Sequence, residues 1–192
     1  MSKDTYCSYC GKSFSEQRLY PRKCFNCYND TYANPTPVVV IMATVEWIPG
    51  KPALLVQRRN IEPKKGEWAL ISGYINLGET WQQAASRELE EEMSLLESEN
   101  HFKLWDVCLS SNKNNILIFC TIDTSRTMFY KEVEWFKSND EVQAIDAIEM
   151  QLPVDGLFKS ANAINIRELV FPAHAKYAEE FITKYIKGSY GN

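Results

Sequence analysis

Acidic residues recur at fixed offsets behind a glycine in the segment GYINLGETWQQAASRELEEEMSL, which runs from Gly73 to Leu95. Five residues separate Gly73 from Glu79, and seven more separate Glu79 from the run Arg87–Glu92. Carboxylates spaced this closely repel one another and need a compensating cation. The pattern therefore indicates a segment that binds metal.

Three glutamates of this run, Glu88, Glu91 and Glu92, stand at i, i+3 and i+4 and would share one face of a helix, within an arc of roughly 100°. Mg²⁺, or Mn²⁺ in its place, prefers hard oxygen ligands and joins one or two carboxylates to substrate phosphates. Ions bound in this way would neutralise a diphosphate, orient a water for attack at phosphorus and stabilise the leaving oxygen. We predict that these glutamates bind Mg²⁺ and are catalytic in the cleavage of a diphosphate.

A helix from about residue 80 to residue 95 must position these glutamates. Thr80 and Gln83 form a predicted capping box, and the segment that follows contains no Pro and no interior Gly. Ala84 lies one turn before Glu88 and is expected to leave space for metal and phosphate. An adjoining apolar stripe is expected to pack against a sheet; its members are Ala85, Leu89, Met93 and Leu96.

The segment resembles the Nudix box, G-x5-E-x7-R-E-U-x-E-E-x-G-U, in which U is an aliphatic residue. The resemblance implies that Arg87 pairs with Glu79, points away from the carboxylates and fixes the loop of Gly73 against the helix. It also implies that the carbonyl of Ser72, just before the box glycine, is a metal ligand. In similar enzymes a carboxylate three residues before a Trp-Phe pair is a further metal ligand or base. That position is Glu132, for which an exposed strand glutamate is the alternative.

Two positions depart from the family pattern. Ser94 stands where the box has a glycine, and the residue there is expected to end the helix with a positive φ, at a cost on the order of 1 kcal/mol for a non-glycine residue. Ile71 stands where relatives commonly have a proline. Neither departure removes a proposed ligand, but both leave open a catalytically weak, Nudix-like protein that binds ligands or has a regulatory role.

Four cysteines in two C-x-x-C pairs lie near the N-terminus: Cys7, Cys10, Cys24 and Cys27. Thirteen residues separate the pairs, a spacing that predicts a structural zinc site of four thiolates, with Gly11 in the first turn. A segment of about 30 residues cannot bury enough surface to fold without the metal. Residues 1–33 are therefore predicted to form a zinc ribbon and residues 34–192 a Nudix hydrolase domain.

The composition limits the partners. The 192 residues carry a formal net charge of −4, which argues against a broad nucleic-acid binder and favours a small nucleotide substrate. No apolar run is long enough to span a membrane and no signal peptide is present, so we expect a soluble, cytoplasmic protein. The ribbon does interleave basic and aromatic residues, namely Lys12, Phe14, Arg18, Tyr20, Arg22, Lys23 and Phe25. Homodimerisation or shaping of the substrate site is nevertheless favoured over nucleic-acid contact as its role.

The remaining elements follow from periodicity and turn residues. Strands are predicted at 38–47, 53–58, 67–71 and 132–136, a turn at Pro49-Gly50, a hairpin of 102–109 with 116–122, and helices at 161–169 and 173–186. Tyr177, Phe181 and Tyr185 recur every four residues and are expected in the core. Four further residues are expected to be structural, as buried reduced thiols or as histidines without local partners: Cys108, Cys120, His101 and His174.

The ribbon, the stretch TYANPTPVVV that follows it and the box together resemble the zinc-ribbon Nudix hydrolases that act on FAD, NADH or ADP-ribose. The resemblance implies an α/β/α sandwich with a mixed sheet, and hydrolysis of a pyrophosphate bond to two monophosphates. The SQPWPFP motif of the NADH-selective branch is absent after Leu95, which favours FAD or ADP-ribose. Arg59, Trp68 and Tyr74 are candidate substrate contacts, with packing as the alternative for each. RNA binding or decapping through the ribbon is the alternative function.

Overall fold

A computed structural model describes six ranges of the chain: 5–14, 20–48, 51–122, 128–129, 136–150 and 164–188. The chain folds as two compact units, Met1–Thr36 and Pro37–Asn192. The division into domains 1–33 and 34–192 stays a prediction. Among the described helices, none is long and apolar enough to cross a lipid bilayer.

The N-terminal unit contains a small two-stranded sheet. β1 (Arg22–Lys23) pairs antiparallel with β2 (Asp30–Thr31). An isolated antiparallel bridge joins Tyr6 to Ser13. Each of these pairings closes a turn that carries one C-x-x-C pair.

The larger unit contains two sheets. In the first, β4 (Thr44–Ile48), β5 (Lys51–Arg59) and β11 (Val142–Glu149) are neighbours, with β10 (Met128–Phe129) beside β4 and β6 (Trp68–Ala69) paired to β5. The second sheet has the order β7 (Ile71–Tyr74), β3 (Thr36–Met42), β9 (Asn115–Ile122) and β8 (Phe102–Leu109). β10 is parallel to β4, whereas β5 is antiparallel to β4 and β11, so the first sheet is mixed.

Two hydrophobic cores lie on opposite faces of the sheets. Successive residues of β3 alternate between them, as a strand requires. Val39 and Ile41 belong to a core that includes Leu89 of α1 (Trp81–Met93), called here the α1-side core. Val40 belongs to a core that includes Phe181 of α2 (Pro172–Ile186), called here the α2-side core. The architecture is the predicted α/β/α sandwich with a mixed sheet.

The two helices pack largely as predicted. In α2, Tyr177 and Phe181 are buried and Tyr185 is partly buried against the same core. The first three members of the predicted stripe on α1 are buried, but the prediction for Leu96 was wrong, because it is 77% exposed. α1 ends one residue before Ser94, whose φ of 58° turns the chain so that Leu95 is buried instead.

The strands differ from the predictions in three places. The single strand predicted at 67–71 is divided at Leu70 into β6 of the first sheet and β7 of the second. The predicted hairpin is present as β8 and β9. The single strand predicted at 38–47 is divided at Ala43, whose carbonyl accepts a hydrogen bond from the N–H of Leu55 at 2.9 Å as the chain passes between the sheets. Gly73, expected in a loop, lies in β7 and pairs with Val39 of β3.

Some predicted elements fall wholly or partly outside the described residues: the turn at Pro49-Gly50, the strand at 132–136 and the start of the helix at 161–169. In the strand predicted at 132–136 and the helix predicted at 161–169, the residues that the structure describes differ from the predictions. Phe136 is not in a strand, and Ile166–Glu168 forms a single 3₁₀ turn in place of α-helix. Asn165 caps the start of this turn, because its side chain accepts a hydrogen bond from the N–H of Arg167 at 3.0 Å.

The cysteines of the hairpin are not partners. Cys120 is buried, as predicted, but Cys108 is only half-buried. The strand register places Cys108 opposite Leu117 and Cys120 opposite Leu104. Both cysteines are free thiols.

Candidate active site

Side-chain and backbone caps define both ends of α1. The hydroxyl of Thr80 accepts a hydrogen bond from the N–H of Gln83 at 3.2 Å, and the Gln83 side chain accepts one from the N–H of Thr80 at 3.0 Å, which completes the predicted capping box. At the other end Ser94 adopts the predicted left-handed conformation and donates to the carbonyl of Glu90 at 2.8 Å. These caps fix which glutamates of α1 face the sheets.

Three carboxylates converge at the inner face of α1. Glu88 and Glu92 lie one turn apart on that face, and Glu141 comes from the segment just before β11. One oxygen from each lies within 4.8 Å of the others. Ligands about 2.1 Å from Mg²⁺ on opposite sides of the ion would be roughly 4.2 Å apart, so this spacing is close to that of one octahedral ion. The donors are all hard oxygens, and the cluster fits Mg²⁺ or Mn²⁺.

Burial makes the charges of this cluster costly. Glu88 and Glu92 are 5% and 3% exposed. Burial raises the pKa of Glu92 to about 8, with a smaller contribution from the charge of Glu88 and against the opposing effect of the Gln57 amide. Burial also raises the pKa of Glu88. The N–H of Ser72 donates to Glu92 at 3.2 Å. A cation would supply the positive charge that these buried carboxylates need.

Gly73 leaves room for the Glu88 carboxylate. β7 packs against α1, and a Cβ built on Gly73 would overlap the carboxylate of Glu88. The backbone of Gly73 is not in the left-handed region. The glycine is therefore required here by space and not by backbone conformation.

Arg87 joins the loop before α1 to the acidic face. Its Nε and Nη2 donate to the two oxygens of Glu79 at 2.8 and 3.0 Å, so the predicted pair is present. This hydrogen bonding lowers the pKa of Glu79. The prediction that Arg87 points away from the carboxylates was wrong, because its Nη1 donates to Glu88 at 2.6 Å and to Glu91 at 2.9 Å. The guanidinium thus offsets part of the repulsion between these glutamates.

Glu141 is a member of the cluster that the sequence did not indicate. Asn139 places it: the side-chain amide donates to the carbonyl of Glu91 at 3.2 Å, and its oxygen accepts from the N–H of Glu141 at 2.9 Å. The carbonyl of Glu141 accepts from the N–H of Asn60, next to β5, at 2.7 Å. An asparagine two positions before Glu141 is a turn signal, but nothing in its spacing shows that the turn contacts α1.

A family model described as the NUDIX domain matches residues 35–149 of the chain, which include the glycine, the box and Glu141. The chain belongs to the Nudix family.

Relatives of this Nudix protein share part of its length. The NAD-capped RNA hydrolase NudC of Edwardsiella ictaluri (strain 93-146) is 30% identical over 91 residues, which are 47% of this chain and 33% of NudC. The match thus spans a third of that relative. Two solved structures share the fold. The NUDIX domain of Shewanella oneidensis NrtR, complexed with ADP ribose, gives a TM-score of 0.57 at 15% identity, over 80% of this chain and 90% of that one.

The second structure is the bifunctional NMN adenylyltransferase/ADP ribose pyrophosphatase of Francisella tularensis, complexed with AMP and a manganese ion. It gives a TM-score of 0.56 at 17% identity, over 80% of this chain and 42% of that one. Identities at this level show that the fold is shared.

Other predicted site residues of the Nudix domain lie outside the cluster or outside the described residues. The side chain of Glu91 is 59% exposed and pairs with Arg87. Glu132 is not among the described residues. The metal-binding roles of Glu91, Glu132 and the Ser72 carbonyl stay predictions.

The three predicted substrate contacts have different surroundings. The Nε of Arg59 donates to a backbone carbonyl at 3.0 Å, and its guanidinium lies 5.4 Å from the centre of the Phe171 ring. Trp68 packs against the α2-side core. Tyr74 is exposed, and its carbonyl accepts a hydrogen bond from Arg87 at 2.9 Å. Arg59 and Trp68 therefore have packing partners, and substrate contact by all three stays a prediction.

The four ribbon cysteines come together. Their sulfurs lie within 4.8 Å of one another, with distances of 3.6 Å from Cys7 to Cys27 and from Cys10 to Cys24. A tetrahedral zinc site with Zn–S bonds of about 2.3 Å places its sulfurs roughly 3.8 Å apart. Hydrogen bonds from the backbone N–H groups of Cys10 and Tyr9 lower the pKa of Cys7 to about 6, which favours a thiolate. The arrangement fits a zinc ion with four protein ligands.

The two cysteine turns share one backbone geometry. Gly11 and Tyr28, each just after the second cysteine of its pair, have φ values of 70° and 62°. The N–H of Tyr9 and that of Asn26 each donate to the first sulfur of their pair at 3.4 Å. Gly11 thus occupies the tight turn predicted for it, and Tyr28 adopts the same conformation in the second turn.

The two histidines lie outside the acidic cluster. The prediction that His101 has no local partner was wrong, because its Nδ1 lies 2.7 Å from a carboxylate oxygen of Glu97. His174 is buried, and its Nδ1 accepts a hydrogen bond from the N–H of Leu70 at 3.2 Å. Burial lowers the pKa of His174 to about 3. His174 is therefore neutral at physiological pH and serves packing.

Proposed function

We propose that this Nudix protein is a hydrolase that uses Mg²⁺ or Mn²⁺ to cleave the pyrophosphate bond of a nucleoside diphosphate derivative, of the FAD, ADP-ribose or NADH class, into two monophosphates. The observation that carries the proposal is the convergence of Glu88, Glu92 and Glu141. An anionic diphosphate can approach these carboxylates only with cations between them, because like charges repel. Gly73 leaves the space that the Glu88 carboxylate needs, and the N–H of Ser72 donates to Glu92.

The proposed ligands of the catalytic ions are Ser72 (carbonyl), Glu88, Glu91, Glu92 and Glu141. Glu132 is proposed as a further ligand or as the base. When bound, divalent cations supply Lewis-acid polarisation of the phosphoryl oxygens and a water of lowered pKa. Burial raises the pKa of Glu92 to about 8, so Glu92 would be protonated near neutral pH without metal and would have to lose this proton to act as a ligand. Arg87 holds the loop before α1 in place through Glu79.

The substrate class draws support from the structural neighbours. One was crystallised with ADP ribose, and another is described as an ADP ribose pyrophosphatase. The sequence lacks the SQPWPFP motif of the NADH-selective branch. Both observations favour ADP-ribose or FAD over NADH, with Arg59, Trp68 and Tyr74 as proposed contacts.

We propose that the ribbon binds zinc and serves homodimerisation or shapes the substrate site. The four sulfur atoms have the spacing that a structural zinc ion requires. The six cysteines, all among the described residues, form no disulfide, which supports a reducing, cytoplasmic location.

A second candidate function is removal of a nucleotide cap from RNA. The relative NudC is an NAD-capped RNA hydrolase, and the ribbon exposes aromatic rings of the kind on which bases stack. Tyr9, Phe25 and Tyr28 are among these exposed rings. A net charge of −4 argues for weak attraction to an RNA backbone, so the free nucleotide is favoured.

The test is hydrolysis of a substrate panel with and without Mg²⁺. FAD, NADH, ADP-ribose, coenzyme A, dinucleoside polyphosphates and a capped RNA would be compared by their kcat/KM values. We expect ADP-ribose or FAD to be cleaved to two monophosphates by the wild-type chain. We expect Glu92→Gln to lose most turnover while keeping its fold, because Glu92 is already largely protonated without metal.

Two outcomes would change the assignment. Tight binding of ADP-ribose without cleavage of any panel member would indicate a ligand-binding or regulatory protein. Preference for capped RNA over free dinucleotides, together with binding that weakens steeply as salt rises, would support the RNA candidate. Full activity in Glu92→Gln would contradict the role of the acidic cluster itself.

A further inference from the structure

One buried amide beside the acidic cluster lacks a hydrogen bond of ordinary geometry. The side chain of Gln57 is fully buried, and within the described part of the chain neither its Oε1 nor its Nε2 makes a hydrogen bond of ordinary geometry. Buried polar groups are nearly always paired, because an unpaired one has lost its hydration without compensation. An amide oxygen left unpaired in this position indicates a partner, such as water, that protein atoms do not supply.

The position of Gln57 on β5 directs its side chain towards α1. Leu55 belongs to the α1-side core and Val56 to the α2-side core, so the alternation of the strand returns Gln57 to the α1 side. Ile145 of β11 lies opposite Gln57 and packs against the same α1-side core, and the Gln57 amide interacts with the Glu92 carboxylate. Gln57 therefore borders the group of glutamates from which the metal site is built.

The other buried polar atoms without partners among the described residues do not share this position. Thr44 lies opposite Leu54, and Asp146 lies opposite Val56. Both of these opposing residues belong to the α2-side core, on the other face of the sheet. Only the amide of Gln57 is thus both unpaired and next to the carboxylate cluster.

A carboxamide has the groups that such a site needs. It offers two N–H donors, which suit a carboxylate, and an oxygen that accepts from water. Mg²⁺ and Mn²⁺ sites of this type keep several bound waters, and groups that hold the ligands in place contribute strongly to metal affinity.

We propose that Gln57 is a positioning residue of the metal site, donating through Nε2 to Glu92 and accepting through Oε1 from a water bound to the divalent cation. The inference rests on the proposed function, because it assumes that the cluster binds Mg²⁺ or Mn²⁺. It assigns the amide a role that packing alone would not require. If position 57 had only a packing role, an apolar side chain of the same length would fill it equally well.

The test compares Mn²⁺ binding by the zinc-loaded, full-length chain and by Gln57→Met, which replaces the amide with an unbranched apolar group. Free Mn²⁺ is measured by electron paramagnetic resonance during titration. We expect the Mn²⁺ affinity to fall by about tenfold or more. The melting temperature without metal should not fall, because an unpaired buried amide has been removed. The Mn²⁺ concentration for half-maximal hydrolysis should rise by a similar factor.

Thr44→Val is the matched control, since it removes an unpaired hydroxyl from the opposite face of the same sheet and should leave Mn²⁺ affinity unchanged. Should Gln57→Met fail to fold, Gln57→Asn keeps a polar amide but shortens its reach, and the same loss of affinity is expected. Mn²⁺ affinity within about twofold of wild type in a folded Gln57 variant overturns the inference. A wild-type chain that binds Mn²⁺ but cleaves no panel substrate overturns the hydrolase proposal instead.

Discussion

The carboxylate of Glu88 lies against the α-carbon of Gly73, in space that any side chain at position 73 would occupy. The two residues are fifteen positions apart and belong to β7 and α1. Because Gly73 has no side chain, the buried carboxylate of Glu88 lies against the backbone of β7. The preceding residue of that strand, Ser72, donates its N–H to Glu92. The box glycine and the first box glutamate of the helix thus pack directly against each other.

Gly73→Ala is expected to displace Glu88 while leaving the fold intact, because the side chain that must move ends in a flexible carboxylate. A misplacement of about 1 Å at a reacting centre can cost on the order of 100-fold in rate. We expect kcat to fall by about that factor and Mn²⁺ affinity to fall with it. The neighbouring substitution Ser72→Ala leaves the strand backbone unchanged and should retain activity. Gly73→Ala with wild-type kcat and Mn²⁺ affinity would show that Glu88 does not need this position.

Asn139→Ala is expected to release Glu141 from the cluster, because the Asn139 side chain bonds both to the end of α1 and to the N–H of Glu141. Loss of such a supporting group typically lowers metal affinity or activity roughly 10–100-fold. The measurement is Mn²⁺ titration followed by steady-state hydrolysis. Asn114→Ala, in the exposed hairpin turn, is the control. A Glu141→Gln variant should reproduce the effect; if only Asn139→Ala reduces activity, Glu141 is not a ligand.

Zinc removal is expected to unfold the ribbon, because the N-terminal unit is held by four cysteine sulfurs around one centre. Cys27→Ser should lose bound zinc, whereas Cys108→Ser, which changes a free thiol outside the ribbon, should retain one zinc per chain. Zinc content would be measured by metal analysis and ribbon structure by nuclear magnetic resonance. An ordered ribbon in the zinc-free protein would contradict a structural role for the metal.

Acid should destabilise the protein partly through His174. Its pKa is lowered from 6.5 to about 3 in the folded state, so below pH 6.5 the unfolded chain takes up a proton that the folded chain does not. The free energy of unfolding should therefore fall with decreasing pH, by about 1.4 kcal/mol per unit from this residue between those two values. Urea unfolding at pH 7 and pH 5 measures the slope.

His174→Asn keeps a hydrogen-bond acceptor near the N–H of Leu70 but cannot titrate, so its pH dependence should be shallower than that of the wild type. His101→Gln serves as the control, because His101 is partly exposed and its substitution should leave the contribution of His174 in place. Equal slopes for His174→Asn and the wild type would show that His174 does not carry the effect.

Local spacing was sufficient to predict the features that lie within one element. The capping box at Thr80 and the shared face of Glu88 and Glu92 follow from helix geometry, which fixes neighbours three and four positions apart. The left-handed conformation of Ser94 was predicted from the family pattern, which has a glycine at that position. The cysteine turns are likewise determined within a few residues, as the φ of Gly11 shows. The family pattern added the pair between Arg87 and Glu79, which lies eight residues apart along the chain.

Contacts between elements were decided by how the sheets and α1 pack. Glu141 enters the cluster because Asn139 bonds a distant turn to the end of α1, and Gln57 borders it because alternate residues of β5 face the core that includes α1. Neither contact corresponds to a fixed spacing in the sequence, because the chain between the two positions can vary in length without changing the contact. The sequence by itself therefore determined which helix carries the carboxylates, and the tertiary structure decided which other residues surround them.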